Sequence, residues 1–131
     1  MARKASAQPT DVEIAILRVL WERGPSTVRE VHGALQDRDR GETGYSTTLK
    51  MMQVMLEKGL LSRDESRRPQ VYAPSQPEAQ TQRQMLDDLV VRVFGGSARK
   101  LVLRAVESEK VSAEELSEIR KLLKQLEGDK P

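Results

Sequence analysis

Residues 44–74 read GYSTTLKMMQVMLEKGLLSRDESRRPQVYAP, and the stretch changes character twice along its length. Tyr45, Ser46, Thr47, Thr48 and Lys50 come first. Met51, Met52, Met55 and Leu56 follow. At helical period, Thr48, Met51, Met52, Met55 and Leu56 share one face at i, i+3, i+4, i+7 and i+8. The spacing predicts a helix over 45–58, ended by Gly59, with that face packed inward. Ser46, Thr47, Leu49, Lys50 and Gln53 fall on the opposite side. Beyond Gly59, Leu60 and Leu61 and then Val71 and Tyr72 are short apolar pieces flanking a polar tip from Arg63 to Pro69. They predict a two-stranded hairpin over 60–74, with Pro69 at a strand start or edge, where no ladder N–H is needed.

Outward from this stretch, four S/T-x-x-E capping boxes mark helix starts, each before an apolar 3.6-residue period. Thr10…Glu13 opens a helix carrying Ile14, Leu17, Leu20 and Trp21, stopped at Gly24-Pro25. Thr27…Glu30 opens a short helix with Val28, Val31 and Leu35. Ser75…Glu78 opens a long one with Leu86, Leu89, Val90, Val93 and Phe94. Ser112…Glu115 opens the last. Between these two, Gly95-Gly96-Ser97 breaks the chain before a helix over 98–106 with Leu101, Val102, Ala105 and Val106 on one face.

The predicted order is three helices, a hairpin and three helices. The fold class is therefore mainly α with a small β-hairpin. Short connections make consecutive elements neighbours. A helix pair, a third helix and an adjoining hairpin form an N-terminal winged helix-turn-helix over 1–74. A C-terminal three-helix dimerisation region follows over 75–131. The 131 residues suit one domain or two very small ones sharing a core.

Composition narrows the chemistry. Cysteine is absent, which excludes disulfides and thiolate metal sites, and the one histidine, His32, cannot anchor zinc. His32 reads as a surface or boundary residue on a short helix. No metal and no cofactor are expected. No glycine-rich phosphate loop follows a strand. Asp87-Asp88 and Glu114-Glu115 are neighbours on helices and point apart. No base stands ready to activate a hydroxyl nucleophile. An enzyme is not expected. No apolar run approaches the roughly 20 residues of a membrane span, and the basic N-terminus has no apolar core of a secretory signal.

Net charge is +2, and the surplus lies wholly in residues 1–73. Nucleic-acid binding would therefore rest on local placement of charge. The front turns of a recognition helix are the part that enters the major groove. Ser46, Thr47, Lys50 and Gln53 can donate to phosphates or base edges, and Leu49 can meet a thymine methyl. Arg63, Arg67 and Arg68 lie on or beside the wing, where they can reach phosphate or guard a strand edge. Arg3 and Lys4 are candidates for a basic arm. In the last helices Leu116, Ile119, Leu123 and Leu126 alternate by three and four, like the seam of a coiled coil. With Leu89, Val93 and Leu101 they form the candidate dimer surface. A homodimer would set two recognition helices for a palindromic site.

The span from Thr10 to Leu126 resembles the BlaI/MecI penicillinase-repressor family, which includes the copper-responsive CopY repressors. The matching pieces are Leu17 and Trp21 in the first helix, TVREVHGAL, YSTTLKMMQVMLEKGLL, VYAP and LDDLVVRVFGGSARKLVLRAV. FGGSARKLVL is the most specific of them. The resemblance implies a bacterial transcriptional repressor, homodimeric and cytoplasmic, that binds operator DNA through a winged helix. It further implies release by a signal from a membrane sensor-peptidase of the BlaR/MecR type. Where the family carries its cleaved Asn-Phe pair, this sequence has Arg104-Ala105. It also lacks the cysteine motif of the copper-sensing branch. Leu49 stands where better-known members carry a longer polar side chain. Two other functions fit the same elements: a winged-helix adaptor that grips a partner protein, and a one-component regulator that binds a small ligand.

Overall fold

A computed structural model of the chain describes residues 8–39, 43–108 and 111–128. The candidate arm at Arg3 and Lys4 lies outside them. The elements run α1 (Asp11–Arg23), α2 (Val28–Asp39), α3 (Tyr45–Glu57), β1 (Leu61–Asp64), β2 (Val71–Pro74), α4 (Glu78–Phe94), α5 (Ala98–Glu107) and α6 (Ala113–Gly128). The architecture is mainly α with a small antiparallel hairpin, in the element order read from the sequence.

Three of the four capping boxes form. The Glu13 N–H donates to Thr10 Oγ1 at 3.2 Å, and the Thr10 N–H to Glu13 Oε1 at 2.9 Å. Thr27 and Glu30 repeat the exchange at 3.1 and 2.9 Å, and Ser112 and Glu115 at 3.1 and 2.8 Å. The Ser75 box does not form. Helix α4 begins at Glu78, behind Pro77, whose carbonyl takes the first helical bonds from Gln80 and Thr81. Proline suits that place because its missing N–H is one the helix could not pair anyway. The Ser75 N–H goes instead to Leu60 O at 3.0 Å, closing the base of the hairpin.

The chain divides into two compact units, Met1–Met85 and Leu86–Pro131. The core lies in the first. Ile16, Leu17, Val19 and Leu20 of α1 meet Val28, Val31 and Leu35 of α2, Met52 and Met55 of α3, and Leu61 and Tyr72 of the hairpin. Each helix turns one apolar stripe to this cluster, so helical periodicity becomes burial. Gly59 makes the turn from α3 into β1 at φ 83°, a left-handed conformation that costs glycine nothing.

The hairpin pairs Leu61 with Pro74, Ser62 with Ala73, Arg63 with Tyr72 and Asp64 with Val71. A link unseen in the sequence fastens it. Ser26, between α1 and α2, exchanges both backbone bonds with Tyr72, at 3.0 and 2.8 Å. One residue thus acts as a third strand and holds the wing against the helix pair. An isolated two-stranded hairpin is marginal in water, so this support matters.

In the second unit the turn Gly95-Gly96 has φ of 60° and 85°, and Ser97 then caps α5 by accepting from the Lys100 N–H at 3.1 Å. None of α4, α5 or α6 contains a buried residue.

Candidate nucleic-acid interface

Helix α3 is held at its back and open at its front. Thr48, Met52 and Met55 are buried. Ser46, Thr47, Lys50 and Gln53 are exposed. Lys50 has no ion-pair partner among the described residues, so its ammonium is available to an anion. Gly44 caps the helix without a side-chain acceptor, leaving the first-turn N–H groups and the positive end of the dipole unspent.

Leu49 departs from the sequence reading. It is half-buried and packs against the core cluster rather than standing on the exposed face. The physical reason is its place three residues before Met52, on the flank of the buried stripe.

The front of α3 is joined to α2 by contacts that no periodicity announces. His32 Nδ1 lies 3.1 Å from Thr48 Oγ1, and its ring stands edge-on to Tyr45 with centroids 5.6 Å apart. The Arg29 guanidinium lies over the same tyrosine, 4.8 Å from its centroid. An exposed cation of α2 therefore sits at the first residue of α3. Nothing local in the sequence marks Arg29, because its partner is 16 residues away on another helix. The only clue was its position just inside the TVRE cap.

The three wing arginines differ. Arg63 is committed to the hairpin. It stands across the ladder from Tyr72 and donates to Glu65 Oε2 at 3.2 and 2.6 Å, and these two neighbours raise its pKa further. Only 27% of its side chain is exposed. Arg63 is therefore less available to an outside anion than Arg67 and Arg68. Arg67 and Arg68 are exposed, with no ion-pair partner among the described residues. They border a cleft lined also by Pro25, Thr27, Glu30 and Val71, which sets the wing tip beside the start of α2. The Thr27 cap lowers the Glu30 pKa, and the nearby charges of Arg23 and Arg67 add to this. Hydrogen bonds from Ser66 do the same for Asp64, with Arg67 again contributing.

In the second unit the candidate dimer residues retain much exposure. Leu89, Val93, Leu123 and Leu126 are exposed, while Leu101, Leu116 and Ile119 are half-buried. Leu123 and Leu126 each keep 51% of their surface open. Among the described residues no helix is long and apolar enough to cross a membrane.

The chain is similar to known proteins over most of its length. The family model described as penicillinase repressor matches residues 9–125. A protein named penicillinase repressor from Bacillus licheniformis is 24% identical over 123 residues, covering 93% of this chain and 94% of its own. Proteins named transcriptional regulator BlaI from two strains of Mycobacterium tuberculosis, CDC 1551 / Oshkosh and ATCC 25618 / H37Rv, are 32% identical over 126 residues. Those alignments cover 92% of this chain and 88% of theirs.

Proposed function

The chain belongs to the penicillinase repressor family, and from that premise we propose that this transcriptional repressor binds a palindromic operator as a homodimer. Its relatives are repressors and not enzymes. The observation that carries the reading is the split of α3, with Thr48, Met52 and Met55 buried and Ser46, Thr47, Lys50 and Gln53 open. A helix so held can lay its front turns in a major groove without losing its core contacts. Residues 1–74 bind the operator in this reading. Ser46, Thr47, Lys50 and Gln53 contact base edges and phosphates, and Arg67 and Arg68 reach phosphate from the wing. Leu49 and Arg63 shape the head that carries them.

Residues 75–131 supply the dimer. A helix pattern with no buried residue and half-open leucines leaves apolar surface that a second copy would cover. Completing the burial of each such side chain contributes on the order of 1 kcal/mol. The repressor works in the cytoplasm and is released by a signal from a membrane sensor-peptidase. Arg104-Ala105, which replaces the family's cleaved pair, lies exposed within α5, and Arg104 is ion-paired with Glu107 at 2.6 Å.

A gel-shift titration with the duplex upstream of its own gene tests the reading. A single shifted species with two chains per site is expected. No shift at physiological salt, where a shuffled duplex also gives none, would overturn it.

A further inference from the structure

A continuous line of hydrogen bonds joins α2 to the front of α3. The Gln36 amide nitrogen donates to Thr43 O at 3.3 Å and stands 2.8 Å from His32 Nε2. On the other side of the ring, Nδ1 meets Thr48 Oγ1 at 3.1 Å, and the Thr48 hydroxyl donates to Gly44 O at 3.4 Å. The two ends fix the direction of the line. An amide nitrogen can only donate, so Nε2 must accept. Turning the Gln36 amide over would set its oxygen against the Thr43 carbonyl. The Thr48 hydroxyl spends its proton on Gly44 O, so it must accept, and Nδ1 must carry the ring proton. Both ring nitrogens are thus used, and only one tautomer of the neutral imidazole fits.

A second ring proton has no place here. It would face the Gln36 amide, donor against donor. Charged and titratable groups nearby offer no compensation. On α3 the ring faces the Tyr45 phenol, and on α2 Arg29 adds a positive charge over that tyrosine. On α1, Asp11 borders a cleft shared with Thr43 and Thr48. No carboxylate among the described residues lies within ion-pair distance of the imidazole.

We propose that His32 is a positioning residue for the operator-reading helix, locking α3 onto α2 as the Nδ1–H imidazole and weakening operator binding when the ring takes a second proton. The inference rests on the DNA-binding reading of α3. Its sign sets it apart from simple electrostatics, in which an added positive charge on a DNA-binding head tightens binding.

The test measures operator affinity of the full chain at about pH 7.5 and about pH 5.5 at constant salt, with His32→Gln alongside. The wild type is expected to lose roughly tenfold on acidification, the size of one part-buried hydrogen bond turned unfavourable. The variant should show no such change. A wild-type affinity that rises or stays level overturns the proposal, as does an equal loss in the variant. Nitrogen-15 shifts of the imidazole read the lock without DNA and without a variant, and the single histidine leaves no ambiguity of assignment. They should show the Nδ1–H tautomer at neutral pH, and an Nε2–H or mixed tautomer would refute the lock. A wild type that binds no operator at either pH would refute the operator reading itself, while the ring shifts would still decide whether the lock exists.

Discussion

The Glu13 carboxylate takes hydrogen bonds from Lys58 Nζ on both oxygens, at 3.0 and 2.8 Å, and so ties the first turn of α1 to the C-terminal cap of α3. Glu13 also closes the capping box with Thr10, so one buried carboxylate serves a helix start and a helix end together. Helix α3 is thereby fixed at its far end, while α2 holds its near end.

Removing one partner strands the other. Lys58→Met should lower the unfolding free energy by about 2–4 kcal/mol, because the Glu13 charge stays buried without its cation. Urea titration reads this directly. A loss below about 0.5 kcal/mol would put the pair in the class of surface ion pairs.

The same pair sets an acid limit. Burial pushes the Glu13 carboxyl up, but hydrogen bonds from Lys58 and Thr10 and the lysine charge outweigh it, and the pKa falls below 4.5. A folded-state pKa below the unfolded one contributes stability above the unfolded value and loses it as pH drops through the folded value. The thermal midpoint should therefore hold level above about pH 5 and fall below about pH 4.5. Glu13→Gln should show a shallower fall. Exposed Glu30 and Asp64, shifted in the same direction, remain in the variant and supply the residual slope. Parallel acid profiles would show that Glu13 is not the group responsible.

At the wing, replacing Arg67 and Arg68 by glutamine should flatten the salt dependence of operator binding. Each lost phosphate contact lowers the log–log slope by about 0.9. Arg63→Gln should leave the slope in place and lower stability instead, since its guanidinium is paired with Glu65 and its side chain lies across the hairpin from Tyr72. Unaltered slope in the Arg67/Arg68 variant would remove the wing from the phosphate contacts.

In the second unit, Leu123→Glu places a charge on an apolar seam that is half open in the single chain. Sedimentation should show the variant shifted toward monomer, with the first unit still folded. An unchanged dimer would move the interface away from α6.

Local signals were legible in the sequence, and cross-chain ones were not. Thr10, Thr27 and Ser112 announced their helices because a capping box is complete within four residues. Ser75 imitated one, but Pro77 and the hairpin base set that boundary. The Met51, Met52 and Met55 spacing marked the face of α3 that packs inward, yet it could not show how wide the buried stripe is. Leu49 therefore went to the wrong side. The Ser26–Tyr72 bridge, the Glu13–Lys58 pair and the His32–Thr48 bond join residues 46, 45 and 16 positions apart. Periodicity carries no information at that range. The wing arginines looked alike as a charge run, and only the Arg63–Tyr72 register told one from the others.

Lys50 is the most direct probe of the central claim, being exposed, without an ion-pair partner among the described residues, and on the open face of α3. Fluorescence anisotropy with an operator duplex, at physiological salt, should show Lys50→Ala binding about tenfold or more weakly, the scale of one lost DNA contact. Its dimer mass and melting temperature should match the wild type. Equal affinity for the operator would contradict the assignment of α3 as the reading helix.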